Sequence, residues 1–260
     1  MQAVVQNRRS LCYLLYITSP SYSMRLNSQQ TPDTAMILTI GNVKGGVGKT
    51  TLAVNFAIAR ARQGRDVLLV DGDEQGTALT FTALREEMTG QTDYTAVALT
   101  GTAVRTQVLK LAPKYADIII DVGGRDTGSF RAALTVTDTL LAPVQPRTFD
   151  VWAIDQVAAL IAEARVINDR LQSFAVLNAA DPTGRDNEEA AAALREHLGI
   201  QYLDCPLIRR KVFPNAAAQG KGILEYTPRD LKAIDELNTL MACVYQDDTG
   251  VKFNGYRKEA

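Results

Sequence analysis

The sequence predicts an α/β fold: a doubly wound, mostly parallel sheet with helices on both faces. Three observations predict it. Short aliphatic runs alternate with helical patterns from Met36 onward, two of those runs ("DVLLV" and "DIIIDV") are apolar at nearly every position, and a glycine-rich stretch, "GNVKGGVGKTT" (41–51), separates the first run from the first helical pattern. Alternation of strand and helix is what crossover connections between parallel strands require. Near-continuous hydrophobicity means that both faces of a strand are covered, as in the centre of such a sheet.

The elements follow in order. "MILTIG" (36–41) is the first strand, and its loop leads into a helix over 50–63. "DVLLVD" (66–71) is the second strand, followed by helices over 77–88 and 103–111. "DIIIDV" (117–122) and "TLLAPVQ" (139–145) come next, then a helix over 149–168 in which Ile154, Val157, Ile161 and Ala164 recur at helical spacing and so mark a core face. "FAVLN" (174–178) and helices over 187–197 and 228–245 complete the pattern. With no internal repeat and no Pro- or Ser-rich linker after Met36, one domain covers 36–246, and 247–260 is a polar tail. Residues 1–35 read as a disordered tail or a misassigned start, with Met24 and Met36 as internal alternatives. Their apolar stretch, Leu11 to Ile17, is short for a secretion signal and no A-x-A site follows it.

Composition narrows the class. At 260 residues, 46% hydrophobic and 22% charged, the chain has the make-up of a soluble globular protein. No apolar run approaches the ~20 residues that span a bilayer. Cys12, Cys205 and Cys243 are far apart in sequence and form no CxxC pair, which argues against a zinc or iron–sulfur site and against a disulfide framework, and favours a reducing, cytoplasmic setting. His197, in "LREHLGI", reads as a helix terminus.

The glycine-rich stretch resembles a phosphate-binding loop with two anomalies. In GxxxxGK[ST] the first glycine would fall at Val43, and there is an additional lysine, Lys44. Gly45, Gly46 and Gly48 can still adopt the backbone shapes that turn successive N–H groups inward around phosphates at a helix N-terminus. Lys49 supplies a point charge and Thr50 a hydroxyl for Mg²⁺. Asp71 and Asp73 end the second strand, and Asp121 follows three isoleucines in the third, where an aspartate reaches a metal through water. One strand-end aspartate is commonly a turn or helix cap. Three at the carboxyl ends of neighbouring strands converge on the ligand crevice of an open α/β sheet.

"KGGVGKTT", "VDGDEQ" and "DIIIDVGG" resemble the deviant Walker A, switch I and Walker B elements of ParA/MinD-type P-loop ATPases, closest to small plasmid-partition ParA proteins. "LLAPVQPRTFDVWAI", "FAVLNAADPTGRD" and "RRKVFPNAAAQGKGILEY" are similar to later parts of that family, so the resemblance covers nearly everything after Met36. It implies ATP and Mg²⁺ as ligands, with nucleotide contacts from Lys44, Gly45, Gly46, Val47, Gly48, Lys49, Thr50 and Thr51. It implies that Lys44 reaches across an ATP-bound homodimer to the partner's phosphates, and that Asp73 orients the attacking water, which makes Lys44, Lys49 and Asp73 the catalytic set. Thr50, Asp71, Asp73 and Asp121 form the implied metal set, some through water. Asn178 contacts adenine, with Pro206 and Leu207 on the neighbouring wall. Two departures, Glu74 and the pair Gly123-Gly124 where the family often has prolines, imply more mobile switch backbones.

Net charge is −1, but from Cys205 to Lys232 six basic residues face two acidic ones, 6 − 2 = +4. A charge cluster alone is usually a solvated face, as is a second one at Arg105, Lys110 and Lys114. With the resemblance, Arg209, Arg210, Lys211, Lys221 and Arg229 become candidates for salt-sensitive, sequence-independent contact with DNA phosphates by the ATP dimer. The terminal helix "DLKAIDELNTLMACVYQ" is mixed in charge, unlike a membrane-binding amphipathic helix. Absent cysteine pairs disfavour the iron–sulfur relatives. Larger partition ATPases have an N-terminal helix-turn-helix domain, for which 35 residues are too few. The expectation is a slow DNA-segregation ATPase, cytoplasmic and nucleoid-associated, whose ParB-type partner stimulates hydrolysis and release. The alternatives are the same switch with a protein or conjugation cargo, and a metabolic P-loop synthetase.

Overall fold

In the aliphatic strands a period of two sorts neighbouring side chains between two separate cores. The computed structural model describes residues 35–124 and 127–245. The expectations for the tails at 1–34 and 247–260 lie outside these residues. Among the described residues seven strands form one sheet: β1 (Met36–Gly41), β2 (Val67–Asp71), β3 (Thr95–Ala98), β4 (Asp117–Val122), β5 (Thr139–Val144), β6 (Gln172–Ala180) and β7 (Gln201–Ile208). Their order is β3-β2-β4-β1-β5-β6-β7, and every pairing is parallel. Helices are α1 (Lys49–Arg62), α2 (Thr77–Thr89), α3 (Ala103–Leu111), α4 (Thr127–Leu134), α5 (Thr148–Arg165), α6 (Asp186–Glu196), α7 (Val212–Ala217) and α8 (Leu231–Tyr245).

Ile119 of β4 joins a core with α1, α7 and α8, while Ile118 and Ile120 join the opposite core with α3, α4, α5 and α6. Burial on both faces is why these strands are apolar throughout. Ile154, Val157, Ile161 and Ala164 of α5 are all in the second core, as their spacing predicts. In α8, Ala233, Leu237, Leu240, Met241, Val244 and Tyr245 are buried, so its apolar face is used inside the domain. No described helix is long and apolar enough to cross a membrane.

Two strands and two helices were not predicted. The four-residue β3 is a half-exposed edge. β7 carries Asp204 and Pro206, and it too is an edge, where proline costs no shared ladder bond. α4 and α7 have only eight and six residues. Pro214 is the third residue of α7, where the backbone N–H has no partner within the helix. α8 begins at Leu231 rather than at 228, and its first turn is capped by Asp230, whose carboxylate accepts the Ala233 N–H at 3.1 Å.

Buried ions tie these layers together. Arg60 of α1 makes two hydrogen bonds to Asp117 of β4, at 2.9 and 3.2 Å. Arg85 of α2 bonds both oxygens of Glu225, at 2.7 and 2.9 Å, together with Asp93 and the carbonyls of Thr92 and Gly220. Cys205 and Cys243, remote in sequence, meet where β7 packs on α8; their thiols share a hydrogen bond, and neither forms a disulfide.

Candidate nucleotide-binding site

The chain leaves β1 at the point where successive strands turn to opposite sides of the sheet: α1 leads to β2 on one side, and β5 pairs with β1 on the other. That switch point is where open α/β sheets bind ligands. The loop 42–48 sits there, and its last residue, Gly48, precedes α1 with φ 91°. No side chain caps α1, which leaves its first N–H groups available to an anion. Gly46 also has a positive φ, 77°, whereas Val43 has none, so a valine costs no backbone strain where the common pattern has glycine.

Side chains from the loop itself, from α1 and from the ends of β5 and β6 fix the loop. Asn42, fully buried, donates to the Pro143 carbonyl at 2.8 Å and accepts the Lys44 N–H at 3.0 Å. The Lys49 ammonium donates to the Lys44 carbonyl at 2.8 Å. Gln145 donates to the Gly46 carbonyl at 2.9 Å and Asn178 to the Val47 carbonyl at 2.7 Å. Lys44 therefore has its main chain anchored on both sides and its side chain exposed.

Charge at the site is costly as it stands. Burial lowers the pKa of Lys49, partly offset by Asp121 and Asp73. Burial pushes the Asp121 carboxyl up to about 7, against a hydrogen bond from Thr50 that favours the anion. One Asp121 oxygen, Oδ2, is buried with no hydrogen-bond partner, an arrangement proteins rarely leave unmet.

The implied metal set divides by what its side chains already hold. Asp71 aligns with Asp121 across β2 and β4, but both its oxygens are used within the chain: Oδ1 accepts the Asp73 N–H at 3.2 Å and Oδ2 the Leu79 N–H at 2.9 Å. It caps α2 from the strand below. Asp73 accepts the Gln75 N–H at 3.0 Å. Among the described residues no three His, Cys, Asp or Glu side chains form a metal cage. Thr50 with Asp121 remains a fitting pair for Mg²⁺, which binds through one or two side chains and completes its shell with phosphate oxygens and water.

Beside the loop a cavity of about 220 Å³ is lined by Gly46, Val47, Gly48, Thr51, Gln145 and Asn178 on one side, and by Ala179, Ile208, Arg209, Arg210, Phe213 and Pro214 on the other. Asn178, the expected adenine contact, is thus among its lining residues. Leu207 is fully buried in the core, and neither it nor Pro206 lines this cavity, because β7 ends at Ile208 and α7 closes the space. The basic cluster divides as well. Arg210 pairs with Glu236 at 2.6 Å and, with Arg209, lines this cavity, whereas Lys211 and Arg229 are exposed and Lys221 is half-buried. Asn42 and Gln145 went unremarked in the sequence although both stand inside quoted motifs; their signal was a polar amide next to a strand end.

A loop of this shape on this strand order defines a P-loop nucleotide-binding domain of the doubly wound class. The model of the CobQ/CobB/MinD/ParA nucleotide-binding domain matches residues 38–223, and the chain belongs to that family. It is 30% identical to maintenance of carboxysome distribution protein A of Halothiobacillus neapolitanus, over 80% of this chain and 95% of the relative. It is 28% identical to the chromosome partitioning protein ParA of Caulobacter vibrioides, over 75% and 88%. Its fold matches the ATP complex of a Cyanothece McdA variant with a TM-score of 0.68 at 16% identity, covering 86% of this chain and 100% of that one.

Proposed function

We propose that the chain is an ATP-driven DNA-segregation ATPase whose Mg²⁺-ATP form is a sandwich homodimer that binds nucleoid DNA without sequence preference. The observation that carries this reading is Lys44: an exposed cation on a loop whose main chain is pinned by Asn42 and Lys49. A charge presented this way suits the phosphates of a second subunit better than its own.

In the proposed cycle the N–H groups of 45–50 and the Lys49 ammonium hold the β- and γ-phosphates, and Asn178 with the α7 wall holds the base. Mg²⁺, when bound, offsets phosphate charge, and Thr50 and Asp121 are the residues that would hold it. Asp73 orients the attacking water, while Lys44 of each subunit opposes charge developing on the other's γ-phosphate. Lys211, Lys221 and Arg229 supply DNA-phosphate contacts, Arg209 and Arg210 are shared with the base-side cavity, and a ParB-type partner stimulates turnover and release.

DNA binding measured with ATP, with ADP and without nucleotide tests the reading. ATP-dependent binding that is lost in Lys44→Ala and Lys49→Ala is expected, and equal binding in all three conditions overturns it. Asp73→Ala should bind ATP and dimerise yet fail to hydrolyse, so normal turnover would remove its assigned role. A second reading, the same switch with a protein assembly as cargo, is favoured by the 30% identity to the carboxysome-distribution protein. Normal plasmid inheritance in cells carrying Lys44→Ala would favour it.

A further inference from the structure

Three chain segments meet below the phosphate loop, and glycines occupy the points of closest approach. A β-carbon at Gly123, just after β4, would overlap the Asp73 carboxylate. A β-carbon at Gly124 would lie 2.7 Å from the Val43 carbonyl oxygen and 3.0 Å from both Gly45 N and the carbonyl carbon of Lys44. Gly72, between the two switch aspartates, donates to the Asp121 carbonyl at 2.8 Å, so the switch main chain is fixed to β4 at the same place. Neither Gly123 nor Gly124 has a positive φ. Alanine is therefore compatible with the backbone at both, and what each glycine provides is space.

We infer that Gly123 and Gly124 are positioning residues for the hydrolysis, Gly123 seating the Asp73 carboxylate and Gly124 seating the main chain of Lys44. The inference rests on the roles proposed above for those two residues. The two glycines act differently because their neighbours differ. Asp73 meets Gly123 with the end of a short side chain, which rotates away at little cost to the fold. Lys44 meets Gly124 with main chain held by Asn42 and by the Lys49 ammonium, so an added methyl moves the loop itself. At these glycines the switch, the end of β4 and the phosphate loop make a close three-way contact.

The test compares Gly123→Ala, Gly124→Ala, Asp73→Ala, Lys44→Ala and the double variant Gly123→Ala/Asp73→Ala. Readouts are binding of a fluorescent ATP analogue, ATP-dependent dimerisation and single-turnover hydrolysis. Gly123→Ala should bind ATP and dimerise as wild type does while hydrolysis falls about 10²-fold, the scale of a roughly 1 Å misplacement. The double variant should be no slower than Asp73→Ala, since both changes act through one carboxylate. Gly124→Ala should bind the analogue within about threefold of wild type and lose dimerisation, as Lys44→Ala does. If Gly124→Ala fails to bind the analogue, Asn42→Ala frees the same loop from its other anchor and should lose dimerisation instead.

Gly123→Ala hydrolysing at the wild-type rate while Asp73→Ala is inactive overturns the role of Gly123. Dimerisation retained in Gly124→Ala, or in Asn42→Ala where that replaces it, while lost in Lys44→Ala, overturns the role of Gly124. Normal behaviour of Asp73→Ala or Lys44→Ala overturns the underlying reading instead.

Discussion

Arg85 and Asp121 are buried to the same degree, each 1% exposed, and their surroundings are opposite. Arg85 makes five hydrogen bonds to two carboxylates and two carbonyls, so its charge is matched within the chain. Asp121 has a bond from Thr50, one oxygen with no partner, and a pKa raised by burial to about 7. A buried ion that is fully paired belongs to the scaffold, and one that is half paired marks where something from outside completes the structure. The contrast separates architecture from function with no reference to relatives.

The largest effect expected from breaking this contrast is on the scaffold side. Arg85→Ala leaves Asp93 and Glu225 without the Arg85 cation, Glu225 keeping only the half-exposed Arg62 at 3.6 Å, and should cost about 3–5 kcal/mol in denaturant unfolding. A loss below about 1 kcal/mol would mean that the network is no more than a surface pair.

Asp121→Asn should act in the other direction. The folded pKa of Asp121, about 7, lies above its unfolded value near 3.8, so the folded state holds the proton more tightly between those values. By linkage this group makes stability fall as pH rises from about 4 to about 7, with no further change above. Asparagine removes that dependence and should raise the stability of the nucleotide-free protein above pH 7 by on the order of 1–3 kcal/mol, while weakening Mg²⁺-dependent nucleotide binding. Glu225 responds oppositely. Burial alone would raise its pKa, but hydrogen bonds from Arg85 hold it below the usual value, so its stabilisation is present at neutral pH and lost as pH falls through the folded pKa. Unfolding measured from about pH 2 to pH 8 in wild type, Asp121→Asn and Arg85→Ala separates the two contributions, Glu225 below its usual pKa and Asp121 above it.

The smallest effect belongs to exposed pairs. His197 bonds Asp155 at 3.1 Å, and Asp155 is 78% exposed. His197→Ala should cost less than about 1 kcal/mol, and a larger loss would place this pair with the buried networks.

What the sequence made legible was local. Phosphate loop, strand-end aspartates and helix periodicity are each set within about a dozen residues, and the structure has them where the pattern places them. The bond from Asp71 to the start of α2 was not legible because it depends on how the switch loop folds back. The cavity wall opposite Asn178 was not legible because it is built by α7, a six-residue helix whose proline hides it in the sequence. Arg85 and Glu225 are 140 positions apart, and no pattern in either segment announces a pairing that only the sheet order creates. The close contacts of the glycines after Asp121 were not legible, because Asp73 and the Lys44 main chain come to them from distant segments.

The hydrogen bond from the Lys49 ammonium to the Lys44 carbonyl, at 2.8 Å, sets an order of events. A phosphate that draws this ammonium away removes a tie on the Lys44 main chain and leaves the tie from Asn42. On the proposed reading, Asn42 then holds the Lys44 main chain in place for the neighbouring subunit, and nucleotide arrives before the subunits pair.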